Sequence, residues 1–149
     1  MSSTNAPIHV LYVDDDPALV DLVGEYLERE VERLEVDTAT DVDEALERFH
    51  DPDEQIDCIV SDHEMSGMDG LAFLRAVRET DPHLPFLIYT GRGSEEVAQE
   101  AISQGVTDYM QKARGMAQYA VLANRIVQAV EKYRAERDTR RRLLALETA

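Results

Sequence analysis

Four short strand candidates in this chain each end on residues able to do chemistry. Ile8-His9-Val10-Leu11-Tyr12-Val13 runs into Asp14-Asp15-Asp16, and Cys58-Ile59-Val60 leads through Ser61 to Asp62. Leu84-Pro85-Phe86-Leu87-Ile88-Tyr89 meets Thr90, and Val106-Thr107-Asp108-Tyr109-Met110 leads through Gln111 to Lys112. Carboxylates, a hydroxyl and an ammonium together suit phosphoryl chemistry. An aspartate can act as nucleophile and carry the group as an acyl phosphate, and Asp62 is the candidate. Crowded carboxylates repel, and a hard divalent cation with oxygen ligands relieves that repulsion. Mg2+ held by such acids would also bridge to phosphate, leaving Lys112 and Thr90 for other phosphoryl oxygens. Each signal is weak alone, since a lone Asp after a strand usually caps a helix and a lone Lys or Thr in a loop is usually solvated. Their joint occurrence at successive strand ends is specific.

These residues meet only if the strands run parallel. Between the apolar runs lie stretches of helical period. Leu19, Val20, Val23, Tyr26, Leu27 and Val31 form one, opened by Pro17 behind an acid suited to an N-cap. Val42, Ala45, Leu46 and Phe49 form a second, capped by Thr40 or Asp41, and the short run Leu34–Ala39 precedes it as another strand. Leu71, Phe73, Leu74 and Val77 follow Asp69, itself a cap candidate, and Val97, Ala98, Ala101 and Ile102 follow Ser94. Strand and helix therefore alternate five times, which predicts an α/β fold with a parallel sheet covered by helices on both faces and right-handed crossovers. In such a sheet all carboxyl ends share one edge, where open α/β folds bind ligands.

Charge narrows the function classes. The 149 residues carry a net charge of -16, with 27 acids against 6 bases in residues 1–111 and 4 against 9 in residues 112–149. So acidic a main body argues against direct binding of nucleic acid or an anionic membrane, and a high-salt cytoplasm would screen its self-repulsion. A halophilic, haloarchaeal source is therefore expected. The single cysteine, Cys58, lies in an apolar run and reads as a buried, inert thiol. No run of apolar residues is long enough to span a bilayer and no leader is visible, so a cytoplasmic location is expected. His9, His50, His63 and His83 lack metal spacing; His63 either lines the pocket beside Asp62 or is a solvated loop residue.

At this point the chain resembles a receiver domain of the two-component response-regulator family, over about residues 8–130. The matching pieces are Leu11-Tyr12-Val13-Asp14-Asp15-Asp16-Pro17, Ile59-Val60-Ser61-Asp62 with Gly67-Met68-Asp69-Gly70, the strand ending in Thr90, and Gly105-Val106-Thr107-Asp108-Tyr109-Met110-Gln111-Lys112. The resemblance implies a doubly wound, flavodoxin-like five-stranded sheet of order 2-1-3-4-5. It implies that Asp62 takes a phosphoryl group from a phosphohistidine on a histidine kinase or a histidine phosphotransfer domain. Asp14 and Asp15 would serve a Mg2+ site, completed by Asp62 and the backbone carbonyl of Glu64. Thr90 and Lys112 would bind the phosphoryl group, and Tyr109 would be the aromatic switch coupled to Thr90. Such a protein is a signalling switch and not a turnover enzyme.

Three positions depart from the family pattern. Ser66 stands where a proline is usual, which predicts a looser loop after Asp62. Ala113 follows Lys112 in place of a proline that is often cis; a cis bond here would cost roughly 2.5–4 kcal/mol, so a trans bond with a shifted loop, or strain, is expected. Gly91 replaces a common alanine, so Gly91-Arg92-Gly93 should be mobile. Glu64 and Arg92 sit two positions past Asp62 and Thr90, and could pair over the site and slow water attack on an acyl phosphate, or be two solvated side chains.

Residues 1–7 read as a disordered tail. From about Met116 a helix without Pro or Gly runs to the end, and past Lys132 it turns basic with Arg134, Arg137, Arg140, Arg141 and Arg142. Residues 131–149 would extend roughly 28 Å at 1.5 Å per residue. They read as a linker toward an output domain, alternatively a two-chain coiled coil giving a homodimer, or a nucleic-acid tail. A chain that stops mid-helix reads as a piece of a longer regulator or hybrid sensor kinase. Two rival functions remain: a haloacid-dehalogenase-like phosphatase with its nucleophile at Asp14, and an unphosphorylated interaction module.

Overall fold

The computed structural model describes residues 6–148. It has five strands, β1 Ile8–Val13, β2 Leu34–Ala39, β3 Cys58–Ser61, β4 Phe86–Thr90 and β5 Asp108–Gln111, alternating with α1 Pro17–Glu30, α2 Val42–His50, α3 Gly70–Thr80, α4 Glu95–Ser103 and α5 Ala117–Thr148. All strand pairings are parallel, in the order β2-β1-β3-β4-β5. The doubly wound, flavodoxin-like arrangement is therefore the one expected.

The central strands β1, β3 and β4 are apolar at nearly every position because both faces of the sheet are covered there. Successive side chains point to opposite faces. Val10, Tyr12, Cys58, Val60, Leu87 and Tyr89 pack with Val20, Val23 and Leu27 of α1 and Leu122, Ile126 and Val130 of α5. Leu11, Val13, Ile59, Phe86 and Ile88 pack with Ala45 of α2, Phe73, Leu74 and Val77 of α3, and Ala101 of α4. Only the edge strand β2 alternates buried and exposed residues, and the Glu28 carboxylate accepts one of its amides, Val36 N–H, at 2.8 Å.

Helix starts follow the cap chemistry. Asp16 accepts from the amides of Ala18 and Leu19, Asp41 from Glu44, Asp69 from Ala72 and Ser94 from Val97. Asp41, and not Thr40, is thus the cap of α2. β4 begins at Phe86 and not at Leu84, because Pro85 has no N–H for the ladder. β5 begins at Asp108 rather than residue 106; Thr107 before it pairs by main chain and hydroxyl with Phe86.

Residues 1–5 of the expected disordered tail lie outside the described residues; Ala6 and Pro7 accept hydrogen bonds from Arg33 and Arg134. α5 has no fully buried residue past Val130, yet side-chain ties to the body continue through Arg33–Glu131 at 3.2 Å and Arg134–Asp57 at 3.4 Å. No helix among the described residues is long and apolar enough to cross a membrane.

Candidate functional site

The parallel strands deliver Asp14, Asp15 and Asp16 past β1, Asp62 past β3, Thr90 at the end of β4 and Lys112 past β5. A cleft of about 550 Å³ opens among them, lined by the three acids after β1 together with Asp62, Glu64, Met65, Ser66, Gly91, Arg92 and Lys112. At its floor the Lys112 ammonium lies 2.9 Å from Asp14 Oδ2 and 3.2 Å from Asp62 Oδ2. One cation thus bridges two carboxylates from strands that are neighbours in the sheet.

The remaining oxygens are also engaged. Asp14, only 2% exposed, accepts the Asp16 amide at Oδ1. Asp62 Oδ1 accepts the amide of His63. Asp15 stands at the mouth, and its Oδ2 accepts both the amide of Ser66 at 3.0 Å and the Ser66 hydroxyl at 3.2 Å. Serine brings to this contact an N–H and an O–H that proline lacks. Among the described residues no three acid, histidine or cysteine side chains converge as a ready-made metal cage, since Lys112 draws Asp14 and Asp62 while Ser66 draws Asp15.

Burial pushes the Asp14 carboxyl above its ordinary range, and the nearby Asp62 charge adds to this; Lys112 and the Asp16 amide pull the other way. Burial alone would lower the Lys112 ammonium, but its hydrogen bond to Asp14 and the charges of Asp62 and Asp14 outweigh it and raise the pKa. The cleft floor is therefore a tightly coupled cluster with more acid than base.

Thr90 is fully buried and does not line the cleft; its Oγ1 accepts the Arg92 amide at 3.3 Å. Tyr109 packs its ring end against Gly93, where an added Cβ would overlap the phenol oxygen and lie 2.9 Å from Cζ. Thr90 and Tyr109 therefore meet the same β4–α4 loop. Arg92 and Glu64 do pair, at 3.4 Å, with side chains 81% and 52% exposed. Such an exposed pair is worth only about 0–1 kcal/mol. His63 is half-buried and outside the cleft lining, its carbonyl accepting the Gly70 amide at 2.8 Å.

The described residues contain no cis peptide bond, so Lys112–Ala113 is trans. The loop after it is held by a residue the sequence did not single out. Gln118, in the first turn of α5, bonds Ala113 at both its N–H and its carbonyl. No sequence signal pointed to it, since a separation of five residues has no periodic signature.

A family model described as the response regulator receiver domain matches residues 10–124. Among similar curated proteins, the transcriptional regulatory protein TrcR of Mycobacterium tuberculosis is 39% identical over 107 residues, covering 72% of this chain and 40% of TrcR. The bacterioopsin transcriptional activator of Halobacterium salinarum is 35% identical over 108 residues, covering 72% of this chain and 16% of that protein. The chain therefore spans well under half the length of these relatives. A crystal structure of a response regulator receiver domain protein from Clostridium thermocellum superposes with a TM-score of 0.76 at 26% identity, covering 86% of this chain and 98% of that one.

Proposed function

The chain belongs to the response regulator receiver domain family, and from that premise we propose that it is a phosphoacceptor in a two-component relay, with Asp62 as the residue modified. The observation that carries this reading is the Lys112 ammonium shared between Asp14 and Asp62 on the floor of an open acidic cleft. In the reaction a carboxylate oxygen of Asp62 attacks the phosphorus of a phosphohistidine on a partner kinase or phosphotransfer domain. The P–N bond breaks, its electron pair returns to the imidazole, which takes a proton from solvent, and an acyl phosphate remains on Asp62. Lys112 keeps its bond to Asp14 and turns its other contact from Asp62 Oδ2 to a phosphoryl oxygen. Hydrolysis reverses the state, water displacing the carboxylate to release inorganic phosphate.

Asp14, Asp15 and Asp62 line one cleft with hard oxygens, the donor chemistry a divalent cation takes, and would have to turn from Lys112 and Ser66 to converge on it. Asp14, Asp15 and Asp62, with the Glu64 main-chain carbonyl, would hold Mg2+, which when bound neutralises charge on the phosphoryl oxygens. Thr90 would turn its hydroxyl to donate to a phosphoryl oxygen, and the accompanying shift of the β4–α4 loop would be felt at Tyr109 through Gly93. The result is a change in population between two conformers, biased by the new charge. Residues 8–130 would form the switching body, and residues 131–149 would link it to an output domain or to a second copy. The setting would be a salt-rich cytoplasm, where salt screens the self-repulsion of the acidic body.

The test is incubation with Mg2+ and acetyl phosphate, or with beryllofluoride, followed by mass spectrometry or NMR to map the modified residue. Modification at Asp62, lost in Asp62→Asn, is the expected outcome. Modification at Asp14 would favour the phosphatase chemistry, which the burial of Asp14 and the engagement of both its oxygens disfavour. No modification at all would leave an interaction module.

A further inference from the structure

The loop between Lys112 and α5 is closed by one side chain. Gln118 Oε1 accepts the Ala113 amide at 2.9 Å, while its Nε2 donates to the Ala113 carbonyl at 2.6 Å and to the Gly115 carbonyl at 2.9 Å. A side-chain amide is here read against a main-chain residue in both directions, and only this orientation of the amide satisfies all three partners. Gly115 has φ of +88°, a left-handed conformation suited to glycine, which turns its carbonyl back toward the same amide. Oε1 also accepts the hydroxyl of Tyr89. Tyr89 is buried in β4, and its ring lies 5.6 Å from the Lys112 ammonium, within the range of a cation–π contact.

Lys112 is therefore held on both sides by elements that end at Gln118. Its own amide bonds the Thr90 carbonyl at 2.9 Å, the residue after it is gripped by Gln118, and its charged end lies near a ring whose hydroxyl is fixed by Gln118. We propose that Gln118 is a positioning residue for phosphoryl transfer: it clamps the trans Lys112–Ala113 corner and, through Tyr89, keeps the Lys112 ammonium between Asp14 and Asp62. The clamp also joins the start of α5 to the cleft, along a route on the α1/α5 side of the sheet that is separate from Thr90 and Tyr109. It rests on the reading that Asp62 is the phosphoacceptor.

The experiment measures the rate of Asp62 modification by acetyl phosphate with Mg2+ in wild type, Gln118→Ala, Lys112→Ala and the double variant. Circular dichroism and urea unfolding of each variant confirm the fold. Gln118→Ala should be slower by on the order of 10-fold or more, toward the ~10²-fold that a ~1 Å misplacement can cost. In the Lys112→Ala background the same substitution should change nothing, because the group it positions is gone. An unchanged rate in Gln118→Ala, or an equal loss in both backgrounds, overturns the clamp while leaving Asp62 as phosphoacceptor. Failure of wild type to be modified at Asp62 overturns both readings. If Gln118→Ala does not fold, Gln118→Glu replaces it: the carboxylate accepts from Ala113 and Tyr89 but cannot donate to the two carbonyls. A full rate in Gln118→Glu would sink the proposal.

Discussion

Two glycine-to-alanine substitutions should move stability in opposite directions, and the reason lies in what each new methyl group meets. At Gly70, the first residue of α3, a Cβ would overlap the Asp62 carbonyl oxygen and approach His63 Cα to 2.9 Å. Both contacts are main chain, and the loop cannot retreat freely because the Gly70 amide bonds the His63 carbonyl at 2.8 Å. Overpacking of this kind costs about 1–3 kcal/mol. The lower chain entropy of alanine in the unfolded state returns about 0.4–1 kcal/mol. At the middle of these ranges Gly70→Ala should thus lose on the order of 1 kcal/mol net, lowering Tm by about 2–4 °C for a domain of this size. At Gly24, inside α1, a Cβ would stand 3.4 Å from Val36 Cγ1, ordinary packing distance. Only the entropy and helix-propensity gain remains there, about 0.5–1 kcal/mol of added stability. Urea unfolding of both variants, with unchanged m-values, checks the pair. Gly70→Ala should also slow Asp62 modification, since any relief of the clash displaces the Asp62 peptide. Stability of Gly70→Ala equal to or above wild type would refute the steric reasoning.

Three further expectations follow from single contacts. Gly93→Ala should displace the Tyr109 ring and destabilise the protein, but cost much less in a Tyr109→Ala background; an equal cost in both would show that the ring does not occupy that space. Cys58 is fully buried, and burial first, then the Asp57 charge, pushes its thiol pKa well above the ordinary range. Both effects withhold the thiolate, so a disulfide reagent at about pH 8, near the free-thiol pKa, should label Cys58 only after unfolding; rapid labelling of the folded protein would contradict its burial. Arg92→Ala should shorten the acyl-phosphate lifetime modestly, since the Glu64 pair is exposed and weak; an unchanged dephosphorylation half-life removes the gating role.

The sequence alone determined which residues arrive at the rim. Once apolar runs and helical periods alternate five times, chain direction at each strand is settled, and Asp14, Asp62, Thr90 and Lys112 must emerge on one edge. Local cap chemistry was equally legible, because Asp16, Asp69 and Ser94 act on amides two or three positions away. What only the tertiary structure decided is how polar atoms pair across elements. Lys112 bridges Asp14 and Asp62 from 98 and 50 residues away, and Ser66 ties down Asp15 from 51. Gln118 reaches Tyr89 across 29 positions. Hydrophobic periodicity records which face of an element is buried, and it carries no trace of such pairings. They depend on how each loop closes once the sheet has formed, and a substituted loop residue, such as Ser66 or Ala113, can find a new partner that its sequence neighbours do not announce.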